Sequence, residues 1–216
     1  MATDPASLQT RLNETISAAN LVVHTIPGTN LKLYLLSDDY PRGPLPHEEM
    51  LAVLNEPAYW AFCWASGQVL ARYVLDHAEQ FRGKSVLDFG AGSGVVGIAA
   101  ALAGASRVIC CDIDPAAIHA CQVNAHLNNV EIEMLDDIHR LSGKVDCLIA
   151  ADVLYDRDNL PWVEKLQQFA DEILIADSRV KKEVLGEYGV VAKVEATTIP
   201  DLDEFKEFNT VRIYRA

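Results

Sequence analysis

Ser85-Val86-Leu87-Asp88-Phe89-Gly90-Ala91-Gly92-Ser93-Gly94-Val95-Val96-Gly97 is the stretch from which the rest of the chain can be read. It opens as a buried-type strand, breaks on Gly90, Gly92 and Gly94, and runs into an apolar helix from Val95 to Ala103. Glycines at such a turn let the backbone bend sharply and approach a ligand closely. A strand that turns on glycines straight into a helix is the opening unit of a ligand-binding α/β sheet.

Downstream, strand-type runs at Arg107–Cys111, Val130–Leu135, Val145–Ala151 and Glu172–Ala176 alternate with helical ones. One helix is expected from Pro115 to about Leu127, and further helical stretches after the last two strands. This rhythm predicts a parallel sheet with helices on both faces. Val190–Thr197 and Thr210–Arg215 break it, because the link between them is too short for a parallel crossover and predicts an antiparallel hairpin. Upstream, Val69, Leu70, Tyr73 and Val74 mark one face of a helix. Asp4 and Pro5 start another helix carrying Leu8, Leu12 and Ile16, residues 21–36 read as two short strands about Pro27-Gly28, and Ser37–Pro46 reads as a loop. The expected fold is α/β: a seven-stranded Rossmann-like sheet, mostly parallel, closed by a C-terminal antiparallel hairpin. A small helix-and-strand extension over residues 1–56 would pack on a core domain over 57–216.

The chain has 216 residues, half of them apolar, which suits a single core. The longest uncharged apolar run, around Val95–Ala105, is too short to span a bilayer, so no membrane association is expected. Met1-Ala2-Thr3-Asp4-Pro5 has neither a signal-peptide pattern nor a presequence, and the reading is a soluble, cytoplasmic, bacterial protein and a monomer. A net charge of −13 disfavours a nucleic-acid partner, which would need a basic face. Cys63, Cys110, Cys111, Cys121 and Cys147 make no metal or disulfide spacing, and the six histidines do not cluster, so no metal site is expected.

Gly92, Gly94 and Gly97 also satisfy G-x-G-x-x-G, so a dinucleotide has to be weighed. Asp88 argues against it, since a carboxylate beside the first glycine would repel a pyrophosphate. S-Adenosylmethionine has no phosphate and carries an amino group and a sulfonium, which an acid favours. Residues 1–84 also precede this turn, whereas a dehydrogenase usually begins with it. Asp112, eighteen residues past Gly94, ends the next strand, where a carboxylate can take both ribose hydroxyls. Asp136 and Asp137 end the third strand, and Asp136 is favoured to meet the adenine amino group. The fourth ends in Asp152-Val153-Leu154-Tyr155-Asp156, so Asp152 and Tyr155 should face the transferable methyl and an acceptor that arrives as a cation.

The segments Pro57–Gln68, Arg82–Asp88, Cys111–Pro115 and Asp152–Asp156 together resemble the lysine methyltransferases of the electron transfer flavoprotein β subunit. These lie within the wider seven-strand protein lysine methyltransferases marked by D-x-x-Y, here Asp152 to Tyr155. The likeness covers residues 25 to 180 and is strongest over 57–115. It implies a protein substrate, a trimethylated lysine product and S-adenosylmethionine as cofactor. It implies further that Trp64 packs on the cofactor, alongside Asp88, Gly90, Gly92, Gly94, Asp112, Ile113 and Asp136, and that Asp152 and Tyr155 form the acceptor site. Where many amino-methylating enzymes carry Asn-Pro-Pro-Tyr, an acid here replaces the asparagine and both prolines are missing. The presequence of mitochondrial members is absent, which fits a bacterial relative, and the glycine turn ends differently. Two other functions stay open on sequence: methylation of a small nicotinamide-like amine, and a non-catalytic cofactor-binding module.

Overall fold

The computed structural model describes residues 4–40 and 43–216. Met1–Thr3, part of the N-terminus read above, and Pro41-Arg42 of the expected loop lie outside them. Asp4 caps the first helix, α1 (Pro5–Thr15), by accepting a hydrogen bond from the Ala6 amide at 3.0 Å. Strands β1 (Leu21–Thr25) and β2 (Lys32–Leu36) pair antiparallel, Leu21 opposite Leu36, as a separate two-stranded sheet. Helix α2 (His47–Asn55) follows, then α3 (Ala65–Asp76). The main unit continues with β3 (Ser85–Phe89), α4 (Val95–Leu102), β4 (Arg107–Cys111), α5 (Pro115–Leu127), β5 (Glu133–Leu135) and β6 (Val145–Ala151). It ends with α6 (Trp162–Lys165), β7 (Ala170–Asp177), β8 (Gly189–Glu195) and β9 (Thr210–Arg215).

The seven-stranded sheet has the order β5-β4-β3-β6-β7-β9-β8. From β5 to β7 neighbouring strands are parallel, while β9 lies between β7 and β8 and runs antiparallel to both, as the short link required. The chain steps outward from β3 through β4 to β5 and then returns to the other side of β3 as β6. In an open α/β sheet that reversal leaves a crevice at the carboxyl ends of the strands.

Two apolar layers bury the sheet. On one face α3 and α4 supply Val69, Leu70, Val74, Ile98 and Ala99, and Leu31, Leu33 and Leu35 of the first hairpin join the same cluster. On the other face Leu87, Ile109, Leu148 and Ile173 meet Val163, Leu166, Leu185 and Tyr188. Leu8 and Leu12 of α1 pack with Trp60 and the alanines of α5. Asn124, fully buried on α5, accepts from the Tyr34 amide at 2.7 Å and donates to the Ser93 carbonyl at 2.9 Å. It thereby ties β2 to the glycine turn. All five cysteines are buried and unpaired, and no helix among the described residues is long and apolar enough to cross a membrane.

Two expectations are corrected, and one element was not foreseen. Strand β5 starts at Glu133 rather than Val130, because the Val130 amide closes the end of α5 on the Ala125 carbonyl (3.1 Å). The stretches after β6 and β7 are not full helices: one gives the single turn of α6, the other a 3₁₀ turn at Lys182–Val184. Helix α2 was not anticipated, since it buries no residue and so shows no core-facing stripe.

Helix α4 lies against the sheet at Gly97, where a Cβ would stand 2.5 Å from Cys110 Sγ and 3.2 Å from Asp88 Oδ2. Beneath it Asp88, 1% exposed, accepts a hydrogen bond from the Gly97 amide at 2.7 Å. Burial pushes this carboxyl up to about 7, opposed by the Gly97 amide and reinforced by Asp112. Two expected outcomes follow from this contact. Gly97→Ala costs about 1–3 kcal/mol of unfolding free energy by overpacking, and Cys110→Ala in the same chain restores part of it. Denaturant titration checks this, and a neutral Gly97→Ala would show that the contact is slack. The raised carboxyl gives the folded state more bound protons than the unfolded one. Its stabilisation is therefore complete below the ordinary carboxylate range and is lost as pH rises through about 7. Between those limits wild type should lose up to about 1.4 kcal/mol per pH unit relative to Asp88→Asn. Parallel stability curves for the two proteins would mean that Asp88 is not the titrating group.

Candidate active site

The glycine turn is held by the strand beside it. The Gly90 and Ala91 amides donate to the Cys111 carbonyl at 2.9 and 3.2 Å, and the Gly92 amide donates to Asp112 Oδ2 at 2.9 Å. Gly94 has φ +81, and a Cβ there would come within 3.1 Å of the Cys121 backbone, so only glycine suits both the conformation and the space. At Gly92, by contrast, an added Cβ would meet nothing within 4 Å, so this side of the turn is open.

Asp112 stands half-buried at the end of β4. Its second oxygen accepts from the Asp114 amide at 3.0 Å. Burial raises its pKa, against the pull of the Asp114 and Gly92 amides. Ile113, next in the chain, is 90% exposed, an unusual placement for a large aliphatic side chain. Asp136 is exposed and paired with Arg140 at 2.5 Å, while Asp137 caps a 3₁₀ turn by accepting from the His139 amide at 2.9 Å. Asp88 is set apart from these, beneath the turn and out of reach of solvent.

Asp152 follows β6 with φ +52, a left-handed conformation that a non-glycine residue holds only when its surroundings fix it. They do so from α3. The fully buried Ser66 donates its hydroxyl to Asp152 Oδ1 at 2.6 Å and its amide to Oδ2 at 3.1 Å. The carboxylate therefore also satisfies the positive end of α3. Burial pushes Asp152 up to about 7, the Ser66 hydroxyl opposes that, and the neighbouring Asp177 adds to it. Asp177 ends β7 at 1% exposure, accepts from the Arg179 and Val180 amides at 2.7 Å each, and keeps one buried oxygen without a hydrogen-bond partner.

Tyr155 is about half exposed and meets Tyr59 edge-on, ring centroids 6.1 Å apart. Tyr59 in turn meets Trp64 at 5.8 Å, and Trp64 packs on Phe62 at 5.5 Å while donating its indole N–H to the Tyr59 carbonyl at 3.1 Å. Burial raises the Tyr155 phenol, and Tyr59, Asp156 and Asp112 add to the rise. Trp60, by contrast, is a core residue at 3% exposure.

The structure thus gathers Gly90, Gly92, Gly94, Asp112, Ile113, Asp152, Tyr155 and Trp64 at the carboxyl end of the sheet. Sequence reasoning did not reach Ser66, Tyr59 or Asp177. Ser66 carries no local signal, because its partner lies 86 residues away. Asp177 could have been found, since it repeats the strand-end acid of β4 and β6.

A family model described as Ribosomal protein L11 methyltransferase (PrmA) matches residues 69–156. Over 103 residues the chain is 42% identical to the electron transfer flavoprotein beta subunit lysine methyltransferase of Rattus norvegicus, covering 46% of this chain and 40% of that one. Over 127 residues it is 39% identical to the Homo sapiens protein of the same name, covering 55% and 48%. The chain thus spans less than half the length of these curated relatives. Among solved structures, the magnesium protoporphyrin IX methyltransferase of Synechocystis PCC 6803 with bound SAM is similar at a TM-score of 0.56 and 21% identity, covering 82% of this chain and 86% of that one. That likeness is one of fold. The resemblance expected from the sequence is borne out: the chain has the seven-strand, Rossmann-like methyltransferase fold, and in sequence it is similar to electron transfer flavoprotein β-subunit lysine methyltransferases.

Proposed function

We propose that this chain is an S-adenosylmethionine-dependent protein-lysine N-methyltransferase whose substrate is the electron transfer flavoprotein β subunit. The observation that carries the reading is the juxtaposition, on either side of β3, of two unlike half-sites. On one side an open glycine turn, the Asp112 carboxylate and the bare Ile113 suit a ribose and a flat heterocycle. On the other, Asp152 and Asp177 behind an aromatic row suit a cationic chain. The names of the similar proteins support the substrate, and the chain's acidic charge suits a lysine-bearing surface.

The cofactor would be held by the turn, by Asp112 through its remaining lone pairs, and by Ile113 and Trp64 as apolar walls. When bound it supplies a methyl group activated on a sulfonium. The protein's own part is positioning, which can contribute roughly 7–11 kcal/mol to lowering the barrier. Ser66 fixes Asp152, and Asp152 draws in and aligns the lysine ammonium while Tyr59 and Tyr155 flank its stem. The amine must be neutral to attack, and from a free pKa near 10.4 that costs about 4.6 kcal/mol at pH 7. Desolvation behind the aromatic row lowers this cost. An Asp152 carboxyl that titrates near neutrality is suited to receiving the proton.

Four measurements test the reading. Asp112→Ala should weaken S-adenosylmethionine by roughly 1.5–3 kcal/mol in calorimetry with the fold intact, and unchanged affinity would remove Asp112 from the site. Asp152→Asn should keep cofactor affinity and lower methyl transfer by about two orders of magnitude. Ser66→Ala should give a smaller loss accompanied by an upward move of the acidic limb of the pH–rate profile, because it removes the hydrogen bond that holds Asp152 down. Finally, purified flavoprotein incubated with enzyme and labelled cofactor should acquire methyl groups on β-subunit lysines, mapped by peptide mass spectrometry. An unlabelled β subunit beside a labelled small amine or another protein would overturn the substrate assignment.

A further inference from the structure

Next to the acceptor half of the crevice lies a cavity of about 350 Å3 whose wall includes Arg179, Lys181, Lys182, Glu183, Arg212 and Tyr214. Four cations face one acid there, in a chain of net charge −13. Arg179 is committed within the fold, since it pairs with Glu204 at 2.5 Å and lies 4.4 Å over the Phe208 ring. Lys181, Lys182 and Arg212 have no ion-pair partner among the described residues. Like charges gathered on the wall of one cavity repel one another.

Their position gives the cluster a meaning. The segment carrying Arg179 to Lys182 leaves β7 directly after Asp177. Arg212 stands opposite Asp177 in the β7–β9 register, and the Asp152 amide is bonded to the Ala176 carbonyl at 3.0 Å. Acidic pocket and basic cavity therefore occupy the ends of adjacent strands, Asp152 to one side of Asp177 and Arg212 to the other. Lys181 and Lys182 are exposed on long flexible stems, which suits capture of a side chain from another protein's surface. A nucleic acid would need phosphate contacts along an extended basic face, and the chain's strongly negative charge opposes one.

Resting on the protein-substrate reading above, we propose that this cavity binds an aspartate or glutamate side chain of the protein substrate. The substrate would then be read by two opposite charges, a lysine entering at Asp152 and a carboxylate entering between Lys182 and Arg212. Rim charges of this kind set register and association rate and are weakened by salt.

The test is direct binding, by fluorescence anisotropy, of two labelled peptides of equal length. Each carries one lysine, flanked at the same positions by glutamates in one and glutamines in the other. Wild type should bind the glutamate peptide roughly tenfold more tightly, with the difference shrinking as salt is raised. Arg212→Glu, and separately the exposed-loop pair Lys181→Glu with Lys182→Glu, should erase the preference while S-adenosylhomocysteine affinity stays unchanged. Equal binding of the two peptides, or a preference that survives both variants, would overturn the proposal. So would an oligonucleotide binding more tightly than the glutamate peptide, or inorganic phosphate displacing that peptide at matching affinity. A glutamate preference without methyl transfer to any protein would leave the cavity standing and sink the methyltransferase reading. Transfer without the preference would do the reverse.

Discussion

The close seating of α4 on the sheet is the constraint from which the crevice follows. Only where a side chain is missing, at Gly97, can the helix come down far enough for its amide to reach the buried Asp88 carboxylate. That seating sets the height of Gly94, hence the path of Gly90–Gly92, hence the amide that Asp112 receives from Gly92. Burying a carboxyl here has a real cost, visible in its pKa of about 7, and the Gly97 amide offsets part of it. An acid that the sequence placed next to a ligand is, in the fold, the support on which the ligand turn rests.

A second device of the same kind holds the other half of the crevice. Asp152 is bound by both oxygens to Ser66, so its unusual backbone angle and its side chain are fixed together. The two halves differ in what they leave free. Around Asp112 the open features are backbone, a carboxylate edge and an exposed Ile113. Around Asp152 they are the aromatic faces of Tyr59 and Tyr155, with the buried Asp177 behind them. In the proposed reading the first half takes the hydroxyl-bearing ribose of the cofactor and the second a cation with an apolar stem. The basic cavity beyond Asp177 adds a third, opposite preference on the same edge of the molecule.

Elements with a strong period were legible in advance. β3, β4, β6 and α5 stand where alternation, apolar runs and the Asp114-Pro115 start put them, because those local signals agree with the burial the sheet imposes. The hairpin of β8 and β9 was legible from chain length alone, since a short link cannot make a parallel crossover. What escaped was weakly patterned: α2 buries nothing, and the segment after β7 has too few apolar residues to hold a full helix on the core.

By itself the sequence determined the class of sheet, its closing hairpin and the ranks of strand-end acids, because each is a local pattern of glycine, alternation, link length and charge. Tertiary structure alone decided what those acids do. Asp88, Asp112 and Asp152 look alike in the chain, each an acid at or near the end of a strand. Burial under α4, an open position beside Gly92, and capture by a serine 86 residues away make them three different groups. The same holds for Tyr59, Asp177 and Arg212, whose neighbours come from distant segments. Their roles are set by distance in space, dielectric and the supply of amides, and none of these is written in the order of residues.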